Sequence, residues 1–133
     1  MITSKIIKIA SNTTNVGLTN KYNFKSSLKN SICGDKIKLE LVVKNFRIKS
    51  MKYETESCIY CEASASLLAL KLKGLDLFTI TKNLNLLKKM IKNENLSFPK
   101  NFKAFKILIN KENLSRISCI YLPFDAVLKA LKQ

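Results

Sequence analysis

Between Cys33 and Cys61 the side-chain period of this chain changes from two to that of a helix, and this switch restricts the fold more than any other feature. Ile37, Leu39, Leu41 and Val43 alternate with Lys36, Lys38, Glu40 and Lys44. Successive side chains of an extended chain point to opposite faces, so this is a half-buried strand. Lys44-Asn45 supplies a tight turn, and residues 46–54 continue as a second strand, which makes a hairpin. A third strand runs into Cys58, or the second simply extends to it. After Cys61, Ala65, Leu68, Ala69 and Leu72 recur on one helical face, and Gly74 stops the helix.

The rest of the chain reads mainly as helix. Ile6, Ile7 and Ile9 predict a short first helix, and residues 11–30, polar and without a period, read as a long, partly mobile loop. Leu84, Leu87 and Ile91 mark a second amphipathic helix after the sheet. Phe102, Phe105 and Ile109 mark a third, and Phe124, Val127, Leu128 and Leu131 a C-terminal one. The class is therefore α+β, a small antiparallel sheet of about three strands packed against several helices. At 133 residues, with glycine and proline scarce and no linker, residues 1–133 are expected to form one domain.

Composition excludes several classes. A hydrophobic fraction of 47% fits a folded core and not a disordered chain. No apolar run approaches the roughly 20 residues that span a bilayer, so no membrane association is expected. The start lacks a cleavage pattern and is not arginine-rich, which leaves the cytoplasm as the expected location. The net charge of +15 is carried almost wholly by lysine, with only Arg47 and Arg116 as arginines. Those lysines are scattered and not interleaved with aromatics, so nucleic acid is not the expected partner; steering of an acidic protein is the alternative use of such charge.

The four cysteines lie at element boundaries. Cys33 precedes the first strand, Cys58 and Cys61 sit between sheet and helix, and Cys119 lies a few residues before the last helix. The C-x-x-C pair alone is compatible with a disulfide, a redox pair, a metal site or core packing. Structural disulfides are rare in cytoplasmic chains, the flanks lack the βαβ context of a thioredoxin-like pair, and no second C-x-x-C completes a zinc ribbon. Histidine is absent, so any metal is held by sulfur and carboxylate. Asp35, two residues from Cys33 across the flexible Gly34, is the natural oxygen ligand; its other reading is a turn residue before a strand.

Three stretches, "CGDKIKLEL", "CIYCEASASLL" and "RISCIYLPFDAVLKAL", together resemble the U-type iron–sulfur cluster assembly scaffolds, namely SufU, IscU and the N-terminal domain of NifU. Order and spacing agree over essentially the whole chain, with the SufU-like branch nearest. The resemblance implies a SufE/IscU-like architecture. It makes Cys33, Cys58 and Cys119 the cysteines that bind the cargo, with Asp35 as a fourth metal ligand, and places Arg116 near the last cysteine, where it would balance thiolate charge. It implies a non-enzymatic scaffold that binds iron and builds a labile 2Fe–2S cluster. Sulfur would come as persulfide from a pyridoxal-phosphate cysteine desulfurase, and the cluster would pass to apo iron–sulfur acceptor proteins. Cys119 is the candidate persulfide acceptor, on the expectation that it lies on a flexible segment before a helix. The alternative is a zinc-dependent sulfurtransferase that relays the persulfide; a zinc-stabilised interaction module is a third reading.

The chain also departs from the pattern. Ser57 stands where glycine is common, and Ser118 where IscU has histidine. The chaperone-recognition stretch of IscU is replaced by "ENLSR", so a dedicated Hsp70-type partner is not implied. Cys61 is an extra thiol: a further ligand, a persulfide carrier or an inert core residue.

Overall fold

The computed structural model describes residues 2–93 and 95–132. Helix α1 (Ser4–Ala10) is capped by Thr3, whose hydroxyl accepts from Ile6 N at 3.3 Å, and it buries Ile6 while Ile7 stays half exposed. Three strands follow, β1 (Phe24–Lys29), β2 (Lys36–Lys44) and β3 (Arg47–Glu56), in the order β1-β2-β3 and antiparallel throughout. The sheet on three strands is as expected, but its third member is β1, inside the stretch read as a loop. Its inward face carries Ser26 between Phe24 and Leu28, so the alternation that reveals a strand is broken at its centre. The Ser26 hydroxyl donates to Ala126 O at 2.6 Å, which satisfies the buried polar group.

The remainder of residues 11–23 is held against the sheet. Glu40 points to the face opposite the core, yet it is buried. Its carboxylate accepts from Thr19 N at 2.7 Å and Asn20 N at 2.9 Å, so it fastens that segment over β2.

The β2–β3 hairpin closes on a two-residue loop, Asn45-Phe46, both residues at positive φ (54° and 62°). This is one residue later than the expected turn, because pairing continues to Lys44 with Arg47.

Helix α2 (Ile59–Leu72) is buried on nearly every side and not only on the face of Ala65, Leu68, Ala69 and Leu72. Ala63, Ser64, Ala65 and Ser66 are small enough for α1 and α4 to approach closely, and the Ser64 hydroxyl donates to Ile120 O at 2.6 Å. Helix α3 (Leu77–Leu87) starts at the Asp76 cap and ends before Ile91, so the expected helix begins earlier and stops sooner. The stretch with Phe102 and Phe105 is a 3-10 segment, Lys100–Ile107, kinked at Phe102, and a second 3-10 segment, Lys111–Arg116, leads to α4. Both phenylalanines are still buried; Phe105 meets Phe124 edge-on with centroids 5.1 Å apart. Helix α4 (Ile117–Leu131) begins six residues before Pro123 and carries that proline inside it. Pro123 has no N–H, so the Cys119 carbonyl lacks its usual helical donor.

Candidate metal centre

The antiparallel ladder brings together three positions far apart in sequence. Lys36 pairs with both Lys29 and Glu56, so the β1–β2 loop and the exit of β3 share one end of the sheet. Helix α4 packs on β1 and β2, and its first turn reaches the same end. Cys33 and Asp35 lie in the loop, Cys58 at the exit of β3, and Cys119 in the first turn of α4.

The loop is shaped by its own hydrogen bonds. Asn30 N donates to Asp35 O at 2.7 Å, Gly34 N donates to Asn30 O at 2.7 Å, and Asn30 Oδ1 accepts from Ile32 N at 2.9 Å. Gly34 sits at φ 78°, a left-handed conformation that a side chain would strain. Sequence reasoning missed Asn30; its only signal was an asparagine four residues before a turn glycine. The loop leaves Cys33 exposed and turns Asp35 inward, where it is only 6% exposed.

The ligand atoms of Cys33, Asp35 and Cys119 all lie within 4.8 Å of one another. The Cys33 and Cys119 sulfurs are 3.1 Å apart. Cys58 joins through the carboxylate: its N–H donates to Asp35 Oδ1 at 3.2 Å and its Sγ lies 3.3 Å from Oδ2. Both oxygens of Asp35 therefore face the N-cap of α2. Burial first, then the neighbouring Cys33 thiol and the Asp35 carboxyl, push the Cys119 thiol well above its ordinary pKa. A metal bound there would displace the thiol proton.

Two expectations are corrected. Cys119 is not on a flexible segment before a helix; it lies on α4 and is 1% exposed, because α4 starts at Ile117. Cys61 is not at a boundary either. It lies in the first turn of α2, fully buried in the core and outside the mutually close group, and burial pushes its thiol up to about 12. Arg116 is exposed at the turn into α4, and among the described residues no carboxylate forms an ion pair with it. Ile32, beside Cys33, is 83% exposed and puts an apolar side chain next to the thiol.

The model of the NifU-like N-terminal domain matches residues 1–131. The chain belongs to that family. Among its relatives, the iron–sulfur cluster assembly scaffold protein IscU of Thermotoga maritima is 31% identical over 106 residues, which cover 79% of this chain and 74% of the relative. The fold is shared with solved structures at 19% identity. The N-terminal NifU-like protein of Brucella abortus superposes with a TM-score of 0.83 over 98% of this chain and 91% of its own. A chain described as a SUF-system iron–sulfur cluster assembly scaffold from Fervidobacterium islandicum superposes with a TM-score of 0.86 over 98% and 96%. The family's α+β fold, with its three-stranded antiparallel sheet, is thus the fold of this chain. Among the described residues no helix is long and apolar enough to cross a membrane.

Proposed function

We propose that this chain is an iron–sulfur cluster assembly scaffold whose cargo is iron and sulfide, assembled as a labile 2Fe–2S cluster on Cys33, Cys58 and Cys119 with Asp35 as the oxygen ligand. The observation that carries the reading is the gathering of Cys33, Asp35 and Cys119 within 4.8 Å, with Cys58 against the same carboxylate. The name of the Thermotoga relative supports it.

The chemistry follows from the donors. Thiolates are soft ligands that hold iron and sulfide strongly. A single carboxylate among them is a harder, more readily displaced donor, and Cys33 on an exposed loop leaves one side open. A closed cage of four thiolates would retain its cluster. Here one side of the site can be entered and left. Cys58 and Cys119 also sit at the starts of two helices, on rigid elements that fix where their sulfurs point.

On this reading sulfur arrives as persulfide from a cysteine desulfurase by thiol exchange. A thiol reductant, the excess cysteine of the assay going to cystine, supplies the electrons that turn each sulfane sulfur into sulfide, and the finished cluster leaves for apo-proteins. The burial of Cys119 makes exposed Cys33 the thiol an external donor meets first, with Cys119 directly behind it. Anaerobic incubation with ferrous iron, cysteine and a desulfurase tests the proposal. Visible sulfur-to-iron charge-transfer absorption is expected, and it should be lost on Cys119→Ser. Stimulated desulfurase turnover with zinc bound and no such absorption would replace the scaffold with a sulfurtransferase.

A further inference from the structure

The end of the sheet opposite the thiols has features that the fold does not need. The loop residue Phe46 has φ 62°. Both central residues of such a tight hairpin loop need positive φ, which is why the second is usually glycine; a bulky side chain there is an outlier. Phe46 is also 80% exposed, so its ring adds nothing to the core. Phe78, in the first turn of α3, is 77% exposed. The two belong to one surface, because Leu77 N donates to Phe46 O at 2.9 Å and the backbones of Arg47 and Asp76 pair in an isolated antiparallel bridge.

Beside them lies an open cleft of about 390 Å³. Its walls include Lys44, Arg47, Lys49 and Lys73, and no carboxylate lines it. The nearest acid in sequence, Asp76, is turned to the cap of α3, accepting from Thr79 N at 2.9 Å and from the Thr79 hydroxyl at 2.6 Å, and its charge offsets part of that of Arg47 alone. Arg47 Nη1 donates to Gly74 O at 3.0 Å, which fixes one cation on the wall.

We propose that this pole is a docking site for an acidic segment of another protein, one that places carboxylates against the four cations and an apolar side chain against Phe46 and Phe78. Charge complementarity selects that occupant. A second copy of this chain, at +15, would bring like charge to the cleft. An anionic bilayer offers charge to the same cations, and vesicle binding is therefore one arm of the test. The nine residues of β2 set the pole roughly 25–30 Å from the thiols, so a partner seated here leaves Cys33 open. The inference stands independently of the scaffold reading.

The test uses the full chain, isotope-labelled, and a synthetic acidic peptide of aspartate and glutamate carrying two leucines. Amide shifts should move at residues 44–49 and 73–78. Phe46→Gly, which suits the positive φ, should keep or raise the melting temperature yet weaken binding about tenfold, and Phe78→Ala should weaken it similarly. Iron loading should be unchanged in both. Equal peptide affinity for wild type and Phe46→Gly would overturn the proposal, as would shifts confined to the thiol end. Binding to phosphatidylserine vesicles or to oligothymidine that depends on Phe46, where the peptide's does not, would overturn it in favour of those partners.

Discussion

Asp35 is the residue on which the site turns. It is buried, it caps the exit of β3 through Cys58 N, and it is the one oxygen donor among sulfurs. Replacing it with alanine removes the most readily displaced donor, so transfer of a loaded cluster to an apo-ferredoxin should slow; an unchanged transfer rate would remove Asp35 from the ligand set. Cys33→Ser, Cys58→Ser and Cys119→Ser should each abolish retention of metal through gel filtration, while Cys61→Ser keeps most of it. Metal analysis of the four variants checks this, and a Cys61 variant more damaged than the rest would redraw the site. The thiols also differ in reach. Cys61 is fully buried with its thiol raised to about 12, so it carries almost no thiolate at neutral pH. In the native protein iodoacetamide should therefore modify Cys33 quickly and Cys61 only after denaturation, as peptide mass spectrometry would show.

At the scale of elements, the caps and turns explain where the chain changes direction. Asp76 begins α3 by accepting from both the hydroxyl and the N–H of Thr79, and these bonds, the side-chain one first, hold its carboxyl below the ordinary value of 3.8. A depressed carboxyl stabilises the fold above its unfolded pKa and loses that contribution as pH falls through the folded one. Asp76→Ala should lower the melting temperature at pH 6, and the gap to wild type should close towards pH 2; a gap that persists at pH 2 would deny the ionised cap. The 3-10 segment around Phe102 shows the converse case. Its apolar spacing suits a helix, but residues 100–107 kink at Phe102 so that both rings reach the core beside Phe124. Burying a phenylalanine is worth about 1.5–3 kcal/mol, more than the roughly 0.5 kcal/mol per residue at stake in helix propensity.

Across the whole molecule, the candidate ligands come from three separate pieces: the β1–β2 loop, the β3–α2 junction and the start of α4. A metal ion held by all three would tie them together and would bind the folded state more tightly than the unfolded chain. Zinc at a hundredfold excess over its dissociation constant should add up to about 2.7 kcal/mol of stability, less whatever the unfolded cysteines bind, at most roughly 10 °C in melting temperature for a chain of this size. Calorimetry should show the shift in wild type, its reversal by chelator, and its absence in Cys119→Ser.

What the sequence determined by itself is what depends on near neighbours. The alternation in β2, the helical faces of α2 and α4, the stop at Gly74 and the boundary positions of Cys33 and Cys58 all follow from local period and backbone chemistry. The three cysteines and Asp35 were legible as candidates because their motifs are local too. Only the tertiary structure decided the rest. It made 24–29 a strand, because Ser26 finds its partner on α4, a hundred residues away. It buried Cys119 and Cys61, because exposure depends on which elements pack over a residue and not on its own neighbours. It also drew Cys33, Asp35, Cys58 and Cys119 to one end of the sheet, because antiparallel pairing and the packing of α4 fix distances that no local period records.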